Sequence, residues 1–472
     1  MNRDDLCYES TVSVARRIRA GEVSPRDAAT AYLERIERVD PRVHSYLHVA
    51  ADRAVQAARR AEQALADGRE LGALHGVPVA VKDLFDTAGM PTTCGSPRIL
   101  GGNVPTHTAT AVERLERAGA VVLGKLHMTE FAFITHHPDT QHAQNPWAAD
   151  RSPGGSSSGS AVAAASGLAS ATLGSDTTAS IRLPAAWCGA VGLKPTWGRV
   201  SRDGVFPLAA SFDHVGPITR SVADAALMLH CIAGPDPRDP STRRQSAPPA
   251  EPAPRDDFKG VRLGWDEDYV TMGVTLDVVA AVRAARDRME ELGATIVPVV
   301  LPDLETTVTT IADLFDVEMR AAHAGLYPQR AADYGPLTRH ALAHFWTRDP
   351  LVHVSGAIAA RAFRQRIDQL FDEIDVLLCP VSMLTASPLV GDEIITEIFG
   401  NDHGNIIRLT RLTSYWDLAG TPAIALPWGF DGDGLPLAVQ LVTRVGTDEA
   451  LLSLAARLEA EAPDRGRRPP LG

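Results

Sequence analysis

An α/β fold is predicted for this chain from three features of its pattern. Short apolar runs bounded by Gly and Pro alternate with helical stretches from Val77 onward. Residues 107–119 read as a helix that feeds a buried strand over 120–123. Beyond a proline-rich interruption at 234–257, the same grammar resumes with a strand at 261–265, a helix at 276–292 and a strand at 294–300. With 472 residues and 45% hydrophobic content, the chain can bury a large core in one big domain or two ordinary ones.

The opening segment, about residues 1–70, reads as helical. Ser24 is placed as an N-cap with Pro25 at the first helical position, and Tyr32, Leu33, Ile36 and Val39 follow at helical spacing as a packing face. A second helix, rich in Ala and Arg, is expected over 51–66 and stops near Gly68. The stretch 234–257, with G-P-D-P-R-D-P and A-P-P-A-E-P-A-P, carries too much proline for regular structure and is expected to be a surface loop. Residues 304–369 are mostly helical in pattern, and their aromatics Phe315, Tyr327, Tyr334, Phe345 and Trp346 are assigned to core packing.

Composition narrows the function classes. No uninterrupted apolar run reaches the roughly 18 residues a membrane span needs, and Asp4, Asp5 and Glu9 do not suit a signal peptide. The chain is therefore read as cytoplasmic, with no membrane partner. Cys7, Cys94, Cys188, Cys231 and Cys379 are widely spaced and odd in number, which suits reduced buried thiols and no zinc or redox motif. A formal charge of −12 argues against nucleic acid as a partner.

Hydroxyl groups and flexible backbone concentrate at 152–159, S-P-G-G-S-S-S-G, which feeds a helix of small residues, S-A-V-A-A-A-S. Such a loop aims backbone N–H groups at whatever lies by the helix start. The lysine of a phosphate-binding P-loop is missing. Residues 155–159 also satisfy G-x-S-x-G with Ser157 as nominal nucleophile, yet a turn-like A-A-D-R-S-P replaces the strand that such an elbow requires. A second unusual stretch follows at 173–184, L-G-S-D-T-T-A-S-I-R-L-P, and runs on into C-G-A-V-G-L-K-P-T.

In order and spacing these blocks resemble the amidase signature family. The resemblance extends upstream to H-G-V-P-V-A-V-K-D at 75–83 and G-K-L-H-M-T-E-F-A at 124–132, and downstream to D-V-L-L-C-P at 375–380 and A-G-T-P-A-I-A-L-P-W-G-F. It implies one α/β/α domain over 1–472, with a mixed central β-sheet flanked by helices. It also implies a Ser-Ser-Lys triad: Ser180 of S-I-R as nucleophile, Ser156 as the bridging serine 24 residues earlier, and Lys82 of V-K-D as base. The roles make chemical sense. A serine hydroxyl is a weak nucleophile until a base removes its proton, and a lysine at the end of a buried strand is shifted toward the neutral amine that can accept one. Ser156 would then protonate the leaving amine.

By the same resemblance, backbone N–H groups of Thr177, Thr178, Ala179 and Ser180 form an oxyanion hole, while Met128, Phe131 and Ser157 are expected to contact substrate. No metal or cofactor is implied, and His136, His137 and His142 are assigned to a loop. The chain departs from the family pattern at Thr178-Ala179, where Gly-Gly is usual. A β-branched residue at positive φ would be strained, so Thr178 is expected at negative φ. An oxyanion donor is worth about 3 to 4 kcal/mol, which makes this geometry decisive. Smaller departures are Ser158 for glycine, His127 for the common Asn and Asp417 where Asn is frequent. Asp176 and Arg182 are expected to pair across the nucleophile loop, and Trp187 and Cys188 to lie in the core.

The resemblance favours a free-standing amidase, monomer or homodimer, acting on a small or aryl amide. Carbamate hydrolysis uses the same chemistry and is the first alternative. The second is the ammonia-producing chain of glutamyl-tRNA amidotransferase, which hydrolyses glutamine for a partner. That protein commonly has S-I-R-Q-P where this chain has Leu183. A catalytically silent binding protein is the third.

Overall fold

The computed structural model describes residues 3–243, 245–389 and 404–471. Its centre is one mixed sheet of eleven strands among the described residues: β1 Tyr46–Val49, β2 Pro78–Lys82, β3 Val121–Leu126, β4 Ala171–Asp176, β5 Val191–Lys194, β6 His214–Thr219, β7 Arg262–Trp265, β8 Thr295–Pro298, β9 Val376–Pro380, β10 Ala423–Phe430 and β11 Pro436–Val442. Their order across the sheet is β1-β3-β2-β4-β6-β5-β10-β11-β9-β7-β8. Two parallel groups, β3-β2-β4 and β9-β7-β8, stand at either side of an antiparallel middle. The α/β expectation and the mixed sheet flanked by helices are both met.

Parallel strands are covered on both faces and so read as continuous apolar runs. β2 is such a strand: Pro78, Val79, Ala80, Val81 and Lys82 are all buried. Because β2 and β4 run parallel with Val81 opposite Leu173, the carboxyl ends of both strands emerge side by side. Open α/β sheets commonly place their sites at such ends.

Several sequence expectations hold at the residue level. Ser24 caps the helix Pro25–Val43 by accepting from Asp27 N, and a second helix covers Ala51–Ala66. The opening segment is not wholly helical, however. Tyr46–Val49 forms the edge strand β1, antiparallel to β3. Four residues are too few to show a period, and the strand exists only because β3 offers an edge to pair with. The described residues of the proline-rich stretch 234–257 are mostly exposed or half-buried, as a surface loop would be, and the stretch is anchored at Asp236. Pro240–Thr242 is a short 3₁₀ turn, and buried Asp236 accepts hydrogen bonds from Ser201 Oγ at 2.6 Å and Thr110 Oγ1 at 2.5 Å. Trp187 is partly exposed, with its indole N–H on Leu384 O, whereas Cys188 is in the core.

The helix Ser158–Ala165 is buried along its whole length. Its small residues are a packing requirement. A Cβ on Gly159 would lie 2.3 Å from Ser45 O and 2.4 Å from His127 N, both backbone atoms that cannot step aside. Gly159→Ala is accordingly expected to destabilise the fold by about 3 kcal/mol, at the upper end of overpacking costs. A urea unfolding midpoint equal to wild type would contradict this.

Candidate active site

Lys82, at the end of β2, is 0% exposed, and its Nζ donates to Ser156 Oγ at 2.7 Å and Ser175 Oγ at 2.9 Å. Burial pushes its pKa down to about 7, while Asp176, Asp213 and Cys94 act in the opposite direction. A buried ammonium is costly, so the environment selects for a neutral amine near neutral pH.

Ser156 is 1% exposed and lies in the turn ahead of the helix Ser158–Ala165, its carbonyl accepting from Thr129 N at 3.2 Å. Ser180 is 7% exposed, between β4 and the helix Arg182–Cys188. The two serine-bearing turns touch through Ser157 N, which donates to Ser180 O at 3.2 Å. Lys82 and Ser156 are thus in direct contact, and Ser180 stands on the adjoining turn. Among the described residues Ser180 Oγ has no hydrogen-bond partner.

Thr177, Thr178, Ala179 and Ser180 all have negative φ, as expected for Thr178. The N–H groups of Thr178, Ala179 and Ser180 find no acceptor among the described residues, while Ala179 O accepts from Leu183 N at 2.8 Å. Three successive donors without an acceptor thus stand beside the Ser180 hydroxyl. Thr177 Oγ1 donates to Asp213 Oδ1 at 2.6 Å, and Asp213, raised by burial, also accepts from Leu208 N and Ala209 N.

Arg182 anchors this loop. Fully buried, it donates to Asp176 through Nε at 2.9 Å and Nη2 at 3.0 Å, to Asp417 Oδ2 at 2.5 Å, and to Gln440 Oε1 and Thr413 O. Asp176 in turn accepts from Ile181 N and Arg182 N, closing the turn that presents Ser180. Burial alone would raise Asp176; Arg182, with Lys194 beyond it, outweighs that and holds the carboxyl below its ordinary value. Asp417, with less compensation, is pushed well above it by burial. Lys194 is a second buried lysine lowered to about 7 by burial, its Nζ on Thr421 O and 3.3 Å from His214 Nε2.

The residues expected to contact substrate are enclosed. Ser157 is fully buried, with its hydroxyl donating to Ser175 O at 3.2 Å, so it brackets the β4 backbone. Met128 is buried as well. Phe131 and Ala132 both adopt left-handed backbone, φ 50° and 60°, and the Phe131 ring packs 4.9 Å from Phe206 and 4.7 Å from His323. Left-handed non-glycine residues are strained and are kept only where the surroundings hold them. His136 stacks on His142, meets the His127 ring edge-on and contacts Ser158 Oγ at 3.1 Å, and His137 Nε2 faces Asp333 O. No His, Cys, Asp or Glu group among the described residues is arranged to hold a metal. None of their helices is long and apolar enough to cross a membrane.

Sequence reasoning passed over Ser175, Asp213 and Thr129. A signal for Ser175 was available: it sits in G-S-D at the end of a strand that runs parallel to the one ending in Lys82. A cavity of about 290 Å³ lies beside it, lined by Ser175, Thr177, Phe206, Asp213, Arg202 and Asp239 among others.

Residues 27–452 match the family model described as Amidase. The chain is 37% identical to the A-type subunit of the glutamyl-tRNA(Gln) amidotransferase of Chloroflexus aggregans, over 99% of each chain. It is 38% identical to AmiD of Mycobacterium bovis, an amidase by provisional assignment, over 100% of this chain and 98% of that one. Its structure resembles the peptide amidase of Stenotrophomonas maltophilia with a TM-score of 0.81, at 30% identity over 98% of both chains.

Breaking the buried ion network is expected to be costly. Arg182→Met takes from Asp176 the guanidinium that pairs with it and should cost about 3 to 5 kcal/mol in urea unfolding. Asp417→Asn keeps an acceptor for Arg182 at a carboxyl already inclined to neutrality, and should cost less than about 1 kcal/mol. Equal losses in the two variants would contradict this division of roles.

Proposed function

The chain belongs to the Amidase family, hydrolases of carbon–nitrogen bonds other than peptide bonds, and we propose that it cleaves a small or aryl amide through an acyl-enzyme on Ser180. The observation that carries the proposal is the 2.7 Å contact between Ser156 Oγ and the wholly buried Lys82 amine.

With Lys82 neutral, Ser156 gives its proton to Nζ and takes the proton of Ser180. Ser180 Oγ bonds to the substrate carbonyl carbon, and the carbonyl π pair moves onto oxygen, facing the N–H groups of Thr178, Ala179 and Ser180. As the tetrahedral centre collapses, the C–N bond breaks and the departing nitrogen takes a proton from Ser156, which regains one from Lys82. Water then enters by the same relay and frees the acid. No step requires a metal or cofactor, and histidine takes no part. Thr178 and Ala179 side chains flank the donors and shape the space open to the acyl group.

A second reading has support in the close match to the amidotransferase: glutamine as substrate, with ammonia delivered to a partner protein. Leu183 stands where that relative commonly has glutamine, which favours the independent hydrolase.

Ser180→Ala and Lys82→Ala are each expected to lower kcat/KM by about 10³-fold or more with the fold retained, and Ser156→Ala by about 10²- to 10⁴-fold. A fluorophosphonate should label Ser180, located by peptide mass analysis. Full turnover in either of the first two variants would contradict the proposal. Since protonated Lys82 cannot accept a proton, kcat/KM should rise with pH through about 7 and level off above it. Amine release from anilides, primary amides, aryl carbamates and glutamine separates the substrate classes, and glutamine turnover together with a stable co-purifying partner protein would favour the second reading.

A further inference from the structure

Lys82 has two hydroxyl neighbours, and the relay above uses only one. Ser175 Oγ lies 2.9 Å from Nζ, nearly as near as Ser156 Oγ. Ser175 also lines the cavity beside β4, while its backbone carbonyl accepts from Ser157 Oγ. We propose that Ser175 is a positioning residue for the reaction: it receives one N–H of the Lys82 amine and thereby turns the nitrogen lone pair toward Ser156.

A neutral amine has two hydrogens and one lone pair. For Lys82 to take the Ser156 proton, that pair must face Ser156, so at least one N–H needs an acceptor elsewhere. Ser175 Oγ is the one other side-chain oxygen bonded to Nζ among the described residues. A serine hydroxyl both donates and accepts, so it can equally bond to the lone pair and block the base. Ser175 has no other hydrogen-bond acceptor among the described residues for its hydroxyl hydrogen. A neighbouring cavity of about 290 Å³ is far larger than one water molecule occupies. Water there can take the hydrogen and leave the Ser175 oxygen facing Lys82. Once Lys82 is protonated, the same oxygen accepts a charge-assisted bond and steadies the ammonium until its proton returns to the leaving nitrogen by way of Ser156. The charged and titratable groups facing Lys82 are Asp176 at the end of β4, Asp213 ahead of β6 and Cys94 in the segment after β2. Asp176 is committed to Arg182, Asp213 to Thr177 and backbone amides, and burial keeps the Cys94 thiol neutral by pushing it well up. A change at Ser175 leaves these three partnerships in place.

The inference rests on the relay of the preceding section, and one series of variants tells their failures apart. The rate of fluorophosphonate labelling at Ser180 is measured against pH for wild type, Lys82→Ala, Ser175→Ala, Ser175→Cys and Ser175→Thr, with thermal melts to check folding. Ser175→Ala is expected to label about 10- to 100-fold more slowly, and its acidic limb should move to lower pH by about half a unit to one unit, because the ammonium has lost an acceptor. Ser175→Thr, which keeps the hydroxyl, should restore both rate and limb. Should Ser175→Ala misfold, Ser175→Cys, a poorer acceptor of nearly the same shape, carries the test with the same expected direction. Wild type that does not label at Ser180, or labels as fast in Lys82→Ala, overturns the relay itself. Wild type that depends on Lys82 while the Ala and Cys variants keep its rate, or lose rate with an unmoved limb, overturns the role of Ser175 alone.

Discussion

Taking a lysine amine out of water is the constraint on which the site depends. An isolated ammonium in a low-dielectric interior costs several kcal/mol even after relaxation, and the chain relieves this by releasing the proton. β2 supplies the burial. Flanked by β3 and β4 and covered on both faces, it carries Lys82 to a sheet end where only hydroxyl groups meet the amine. The nearest carboxylates are engaged with other partners: Asp176 with Arg182, and Asp213 with Thr177. A carboxylate in direct contact would have favoured the ammonium. The geometry therefore keeps counter-charge close enough to limit the shift and too far to cancel it.

The opposite arrangement, a buried charge kept ionised, holds the neighbouring loop. Arg182 remains charged because the ionised Asp176, together with the hydrogen bonds to Asp176 and Asp417, outweighs the effect of burial. Its five donors draw together the end of β4, Gln440 within β11 and the helix Arg411–Ala419. Strength is thereby placed in the side chains that support the Ser180 turn, and the backbone donors are left free. This explains how Thr178 and Ala179 replace glycines: the turn runs through ordinary negative-φ conformations, so a Cβ introduces no left-handed strain.

Much of this was legible in the amino-acid order, and the reasons are local. The apolar run before Lys82 announces a buried strand, and Ser24-Pro25 announces a helix start, because each signal lies within a few consecutive residues. β1 was missed because four residues carry no period and pair only in three dimensions. The enclosure of Met128, Phe131 and Ser157 was equally hidden. It depends on Phe206 and His323, far along the chain, and on the close approach of Ser157 to the backbone of Ser175. Ser175 itself lies within a recognisable motif, yet its contact with Lys82 follows from the parallel register of β2 and β4, which no stretch of sequence displays. The anchoring of the 234–257 stretch was hidden for the same reason, since Asp236 finds its partners at Thr110 and Ser201.

The most direct test is a titration of the Lys82 amine itself. With lysine labelled at the side-chain nitrogen with ¹⁵N and the Lys82→Met variant used for assignment, the Nζ resonance is followed against pH in the Ser180→Ala protein. A midpoint near 7 is the result this account requires. A midpoint near the ordinary lysine value of about 10.4 would show an ammonium at neutral pH, and no hydroxyl relay could start from it.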